Sequence, residues 1–533
     1  MPAGSDRMVA DGPRELDGEE RPRRAGGRPA GRVTATMLAD LVRCEQRVHL
    51  DLHGDPERKG EVNGFVEMLW AQGCRHEADV LDGLGGLVSD LRDLPLPERY
   101  EATVLAMSSN AEWILGARLV IDDLEGRPDL LRRVDGVWFG GDVKSGGALA
   151  PNGRDPRLEY AVQTGFYADV LGRLGLGGEH RAFVIGSDGT STWYDLDAPM
   201  GRDGRTVRGM VASLTARARA IRDRTSDTRP ALSSICGLCV WKAVCKERLL
   251  AEGDLTLIPG LGRSVRSSIE QVAASLSDLA ELDIGGVSVG GGRTVVPGVG
   301  ASRLATFRER ARMLVSSAAP FATRDLGLAR RDVEHHLDLE TDPTAHGGDF
   351  TYLHGIWRRR RVDGVDEGDY VHFLADRPSA ERDVFAAAID FLTADPSALL
   401  TTFSAFERST YRRLAARYPE VIDAEGVEAM FSAGRCVDLY FDVVLPLTHW
   451  PTHSLGLKAV ARHLGFDWND PDAGGASSIQ WFVEWMRSRD PGLLDRILTY
   501  NRNDCLASAV VFDGALALPV MPSLPWPRTE TGR

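Results

Sequence analysis

Asp129-Leu-Leu-Arg-Arg-Val-Asp135-Gly136-Val-Trp-Phe-Gly-Gly-Asp142-Val-Lys144 is the stretch that decides how the first half of the chain is read. Asp135-Gly136 sits between two β-rich runs, a hairpin signal because both residue types tolerate the backbone of a two-residue turn. The hairpin brings Asp129 beside the strand that carries Asp142-Val-Lys144. Residues two apart in a strand share a face, so Asp142 and Lys144 point to the side where Asp129 lies. Two carboxylates can hold a hard divalent cation, and an ammonium beside them can orient an attacking water and offset phosphate charge. This combination suits phosphodiester cleavage.

Working outward, Thr36 to Leu50 has apolar residues at helical spacing, with Thr34 or Thr36 as N-cap and Cys44 on the helix. Gly64 to Leu84 reads as another helix and contains Gly73-Cys-Arg-His76-Glu77, in which Cys74 reads as a buried small hydrophobe. Leu158 to Leu171 is a third helix, with Gln163 and Tyr167 one turn apart on one face, placed to contact a scissile strand. Then comes Cys236-Gly-Leu-Cys239-Val-Trp-Lys-Ala-Val-Cys245. Thiolates at this spacing can converge on one metal or cluster, and three of them leave one coordination position open. The nearest candidates for it are Cys44 and Cys74, and either would staple the start of this module to its end. On softness alone, zinc and an iron–sulfur cluster fit equally well.

The chain has 533 residues, 43% of them hydrophobic, enough for several domains with their own cores. Seven cysteines are too few for a secreted disulfide scaffold, so reduced thiols and a cytoplasmic location are expected. Residues 1–33, rich in Gly, Pro, Arg and Asp, read as a disordered tail with neither signal peptide nor membrane anchor. A net charge of −14 argues against nonspecific coating of nucleic acid and leaves room for an enzyme with metal-binding carboxylates. The arginine clusters at Arg21 to Arg32 and Arg358 to Arg361 read as solvated tail and loop charge.

Past the cysteines, Ile258-Pro259-Gly260-Leu261-Gly262 leads into a short helix, followed by a second helix at Val272 to Leu282. A Gly-x-Gly turn between helices exposes backbone amides suited to a phosphate, with Arg263 and Arg266 able to add charged contacts. A plain helical scaffold reads equally well. Ile284 to Gly300 reads as a Gly-rich linker in which Pro297-Gly298-Val299-Gly300 echoes the first turn. A second module opens with Leu337-Asp338-Leu339-Glu340, whose alternation puts two carboxylates on one face of a strand. Phe406-Glu407 then begins a helix, and Tyr500-Asn-Arg-Asn-Asp504 sets a phenol and a carboxylate one helical turn apart. A phenol there can orient a nucleophilic water.

Gly73-x-x-His76, Gly126-x-x-Asp129, Asp142-x-Lys144 and Gln163-x3-Tyr167 together resemble the ordered motifs of RecB-type nucleases of the PD-(D/E)xK superfamily. In the AddB and CRISPR-associated branches an early Cys plus a late C-x2-C-x5-C bind an iron–sulfur cluster, a layout that Cys44, Cys236, Cys239 and Cys245 match. The resemblance implies His76, Asp129 and Asp142 as metal ligands, Lys144 as catalytic, and a 4Fe–4S cluster. Pro259 to Arg266 resembles a helix-hairpin-helix DNA-backbone motif. Asp338-x-Glu340, Phe406-Glu407 and Tyr500-x3-Asp504 resemble the RNase H-like DEDD 3′–5′ exonucleases, which implies Asp338, Glu340 and Asp504 as ligands of Mg2+ or Mn2+ and Tyr500 as their partner. That family usually has Asp where Glu407 stands, and Asp438 is the reserve candidate for that ligand.

The expected architecture is α/β and multidomain. It comprises a restriction-endonuclease-like PD-(D/E)xK domain with an Fe–S cluster over 34–250, a helix-hairpin-helix connector over 251–330, an RNase H-like domain over 331–520 and a tail over 521–533. The expected activity is metal-dependent hydrolysis of single-stranded DNA. The alternatives are a nucleic-acid-binding scaffold with degenerate sites and an RNA-processing nuclease. No Gly-x4-Gly-Lys-Ser/Thr motif is present, so unwinding would fall to a helicase or repair partner.

Overall fold

A computed structural model of the chain describes residues 31–178, 180–201, 203–345, 350–470 and 474–524. The first thirty residues of the expected N-terminal tail lie outside it. Val33 does not belong to that tail: it is buried, and Val33–Thr34 pairs in parallel with Leu124–Glu125. The C-terminal tail also starts later than expected, since the Met521 amide still donates to the Ala322 carbonyl at 2.8 Å. The chain forms two compact units, one from the residues up to Arg43 plus Gly83–Thr228, the other from Cys44–Asp82 plus Arg229 onward. The compact units thus do not follow the expected order of modules along the chain.

The first unit is built on a six-stranded sheet. Its strands are β1 (Val88–Asp90), β2 (Trp113–Leu115), β3 (Leu130–Val134), β4 (Val137–Val143), β5 (Arg181–Ile185) and β6 (Ser191–Asp195), in that spatial order. β3 and β4 form the expected hairpin, with Asp135 and Gly136 at φ 51° and 82°, the left-handed pair that this turn needs. Helices α1 (Ala35–Arg43), α2 (Leu158–Leu174) and α3 (Val207–Arg222) pack on one another, and α2 lies on β4 and β5. Thr34 caps α1 by accepting the Met37 amide at 3.2 Å. In α2, Val162, Phe166, Val170 and Leu171 are fully buried, and each contributes about 1.5–3 kcal/mol by leaving water. The helix sits close because glycines face it: a Cβ on Gly126 would meet the Tyr167 ring at 2.9 Å, and one on Gly140 would meet Tyr167 Cβ at 2.7 Å.

In the second unit, helix Glu45–His53 follows directly on Cys44. The single helix expected from Thr36 to Leu50 is thus two, broken where Cys44 takes an extended backbone, φ −163° and ψ 107°. Helix Gly64–Asp82 packs against α8 (Gly475–Ser488), and Gln72 donates to the Thr344 hydroxyl at 3.1 Å. The stretch read as a linker is folded. It makes a short hairpin, Ser288–Gly290 with Arg293–Thr294, and buries Val296 and Val299 in one core with Ile258, Leu261, Leu304 and Phe307. The two Pro-Gly-apolar-Gly turns share their glycine geometry. Gly260 and Gly298 have φ 82° and 74°, and Gly262 and Gly300 are the extended N-caps of α4 (Arg263–Ile269) and of α5 (Ala301–Ser316).

The rest of this unit is a five-stranded sheet of β7 (Val333–Asp342), β8 (Phe350–Val362), β9 (Val365–Leu374), β10 (Leu399–Thr402) and β11 (Cys436–Asp438) in the order β9-β8-β7-β10-β11. The first three are antiparallel; β10 and β11 run parallel to β7. Leu337 and Leu339 face a core with Phe385 of α6 (Glu381–Thr393) and Tyr411 of α7 (Phe406–Arg417). The long helix α9 (Pro491–Leu516) packs on β7 and β8, and its Tyr500 and Phe512 belong to a second core rich in Trp. Arg358, Arg359 and Arg361 lie on β8 and are ion-paired with Asp369, with Glu334 and Asp513, and with Asp366, so this cluster braces the sheet and is not loop charge. No described helix is long and apolar enough to cross a membrane.

Gly140→Ala should destabilise the first unit by about 1–3 kcal/mol, because Tyr167 Cβ is fixed to the helix backbone and cannot swing aside. Thermal unfolding of the two proteins checks this, and equal midpoints would contradict the close approach.

Candidate metal centres

In the first unit the hairpin register sets Asp129 opposite Asp142. The Asp129 amide donates to Asp142 Oδ1 at 3.3 Å, and the Val143 amide donates to Asp129 Oδ2 at 2.8 Å. Asp142 is 0% exposed. Lys144 Nζ lies 3.0 Å from Asp142 Oδ2 and 5.7 Å from the centre of the Tyr160 ring. Burial works to lower the Lys144 pKa, but the charges of Asp142 and Asp129 outweigh it, and the ammonium holds its proton more tightly than usual. From α2, Gln163 Nε2 donates to Tyr167 Oη at 3.2 Å, and that hydroxyl donates to the Arg127 carbonyl at 3.2 Å. Burial, then the nearby carboxylates, push the Tyr167 phenol well up, so it stays a donor. The structure therefore brings Asp129, Asp142, Lys144, Gln163 and Tyr167 together. His76 stands half-buried on helix Gly64–Asp82, which belongs to the other unit.

The second centre lies between β7 and α9. Among the described residues, the one set of His, Cys, Asp or Glu ligand atoms all within 4.8 Å of one another is Asp338, Glu340 and Asp504. Asn501 Nδ2 donates to Asp338 Oδ2 at 2.7 Å, and the Trp468 indole donates to Asp504 Oδ1. Glu340 is hydrogen-bonded to Ser478 and Asn501, and the Tyr500 hydroxyl to Asp504. Burial, then the charge of Asp504, pushes Glu340 up to about 8. Asp338 is pushed well up by burial and by Asp504, Glu340 and Glu407, and Asp504 is raised by burial. Hard oxygen donors that repel one another in a dry site suit Mg2+ or Mn2+, whose charge lets all three ionise.

Glu407 is not part of that set. It begins α7, is 4% exposed, has no hydrogen-bond partner for Oε2, and is pushed up to about 8, chiefly by burial. Asp438 acts as a cap, accepting the Tyr440 and Phe441 amides at 3.0 Å each. Its charge acts on Glu407, as that of Glu407 acts on Asp338.

Several residues of this centre went unnoticed in the sequence. Asn501, next to Tyr500, joins Asp338 to the Tyr370 hydroxyl, which donates to its Oδ1 at 2.7 Å. Gly355, paired with Asp338 on β8, makes room for it: a Cβ there would fall 1.5 Å from Asn501 Oδ1. Trp468 and Lys458 come from the segment between α7 and α8, in a part of it that the sequence motifs do not reach. Lys458 Nζ donates to Tyr500 Oη at 3.3 Å.

In the second unit, Cys239 and Cys245 lie close enough to Cys44 and Cys236 for their charges to interact. Burial, then Cys44, Cys239 and Cys236, pushes the Cys245 thiol up to about 12. The segment after Cys44 is tied to the cysteine box by Trp241 Nε1 donating to Asp51 at 2.9 Å, by the Gly60 amide on the Val240 carbonyl at 2.9 Å, and by Arg58 on Glu247 at 2.5 Å. Cys74 is exposed, not the buried hydrophobe expected, because the face of helix Gly64–Asp82 that carries it meets solvent. In the connector, Arg266 is buried and donates to Asp254 at 2.9 Å and to the Pro230 carbonyl at 2.7 Å, so it is unavailable to a phosphate.

A family model of the PD-(D/E)XK nuclease superfamily matches residues 31–246, and one of the RNase H superfamily matches residues 335–515. No curated protein matches the sequence.

Filling the second centre should release protons. Glu340, raised to about 8, is protonated at pH 7 without a cation and must ionise to bind one, so affinity for Mn2+ should rise between pH 6 and 9. Calorimetry in two buffers of different ionisation enthalpy reads the proton released, and none at pH 7 would contradict the reading.

Proposed function

We propose that this nuclease, in which a PD-(D/E)XK domain precedes an RNase H superfamily domain, degrades single-stranded DNA at two separate centres, one RecB-like and one a 3′–5′ exonuclease site. The observation that carries the reading is the convergence of Asp338, Glu340 and Asp504 beside the Tyr500 hydroxyl. A bound Mg2+ or Mn2+ would supply Lewis acidity and a water of lowered pKa. The three carboxylates hold it, Asn501 and Trp468 fix the orientation of Asp338 and Asp504, and Tyr500 orients the attacking water through its hydroxyl.

At the RecB-like centre Asp129 and Asp142 hold the cation. Lys144 keeps its charge to orient the water and balance the phosphorane-like transition state. Gln163 and Tyr167 present donors to the scissile strand. In the second centre Glu407 serves as the remaining acid in place of the usual Asp; its buried, unpartnered Oε2 and its influence on Asp338 support this.

Cys44, Cys236, Cys239 and Cys245 hold a 4Fe–4S cluster that clasps the segment after Cys44 to the cysteine box. Four thiolates around one zinc stand about 3.8 Å apart, given tetrahedral Zn–S bonds of about 2.3 Å. In a cubane each thiolate takes its own iron, and the four cysteines, whose charges act on one another, supply one thiolate for each. The connector acts as a helix-hairpin-helix pair on the DNA backbone, a reading supported by its two Pro-Gly-apolar-Gly turns, each with a left-handed first glycine and a glycine N-cap. Strand separation falls to a helicase or repair partner, and free, unbridged cysteines fit the cytoplasm.

With Mn2+ and end-labelled single-stranded DNA, Asp142→Ala and Asp338→Ala should each abolish one activity, by on the order of a hundredfold or more. No loss in either variant overturns the enzymatic reading, and cleavage of labelled RNA in preference to DNA overturns the substrate. Protein purified without oxygen should be brown with about four irons. Cys245→Ser should lose the iron and unfold at lower temperature, whereas zinc in the parent protein would overturn the cluster.

A further inference from the structure

Lys458 brings a cation to the carboxylate centre of the second unit. Lys458 lies on helix Leu457–His463, fixed in place by its buried neighbours Leu455, Val460 and Ala461. Its Nζ donates to Tyr500 Oη at 3.3 Å and lies 4.5 Å from the centre of the Tyr500 ring and 5.4 Å from that of Trp468. Trp468 in turn donates its indole N–H to Asp504. The ammonium is within electrostatic reach of Asp504, Glu340 and Asp338.

A phenol has one proton and two lone pairs. In Tyr500 a lone pair accepts from Lys458, while the hydroxyl is hydrogen-bonded to Asp504. An ammonium is a donor only, so it cannot take the phenol proton, and that proton must point away from it, toward the carboxylates and any water they hold. We propose that Lys458 is a positioning residue for the RNase H-like centre, fixing the Tyr500 hydroxyl in the one orientation that serves the attacking water. This rests on the exonuclease reading of that centre. No covalent step involves Lys458, whose proton stays on nitrogen throughout.

The position has a second consequence. An ammonium among three carboxylates competes with the metal ion, so the site gives up some metal affinity for a fixed phenol. Removing the charge should therefore tighten metal binding while slowing the reaction, an opposition that a merely structural lysine would not produce.

The test uses the full chain carrying Asp142→Ala, so that cleavage of single-stranded DNA with Mn2+ reports the second centre. In Lys458→Met, kcat should fall about tenfold or more, with KM and the unfolding temperature unchanged. Lys458→Arg, which keeps a donor at the end of a long stem, should recover part of the loss. In a Tyr500→Phe background, Lys458→Met should cost nothing further. Calorimetry should show Mn2+ bound about fivefold more tightly by Lys458→Met than by the parent. An unchanged kcat, an equal loss in the Tyr500→Phe background, or unchanged Mn2+ affinity would each overturn the proposal. Asp338→Asn separates this from the underlying reading. Activity lost there but kept in Lys458→Met sinks Lys458 alone, whereas activity kept in Asp338→Asn removes the exonuclease reading and the role of Lys458 with it.

Discussion

Three carboxylates within 4.8 Å of one another repel, when all are ionised, by about 3 kcal/mol per pair at an effective dielectric of about 20. Much of the second unit is arranged around that repulsion. The Asn501 amide, the Trp468 indole and the Tyr500 hydroxyl each give a hydrogen bond to the cluster, and Lys458 lends it positive charge. Gly355 lacks a side chain so that Asn501 can reach Asp338 from the neighbouring helix. Each donor relieves part of the repulsion, and none of them cancels it. The proton held by Glu340 marks what is left for a metal ion to neutralise.

The first unit handles the same problem differently. Asp142 is as deeply buried, but it has a lysine two residues along its own strand and the backbone amide of Asp129 on its other oxygen. Its charge is largely balanced within the chain, so this centre is set up by local geometry, a hairpin and one helix. The second is set up by elements far apart in sequence, from β7 at residue 333 to α9 ending at residue 516.

That contrast explains what could be read from the sequence. The hairpin at Asp135-Gly136, the alternation at Leu337 to Glu340 and the one-turn spacing of Tyr500 and Asp504 are local patterns, and each folds as its period dictates. Asn501, Gly355, Trp468 and Lys458 carry no local signal: a lysine on a short amphipathic helix looks like any solvated lysine until the tertiary fold sets a phenol against it. Arg266 misled in the opposite direction, because a basic residue after a Gly-x-Gly turn resembles a phosphate contact, whereas the buried Asp254 that claims it lies twelve residues back. Cys44 looked helical because its neighbours on both sides are; the break there became visible only in the backbone.

The chain crosses between its two compact units three times, at residues 43–44, 82–83 and 228–229. Helix Gly64–Asp82 lies within the span matched as one nuclease module, yet packs on α8, which lies within the span matched as the other. A gene fragment encoding residues 31–246 alone would thus specify a helix stripped of the surface it was selected to cover. The modules are not beads on a string that recombination can exchange freely. Through this packing a substitution on α8 is constrained by a helix encoded some four hundred residues earlier.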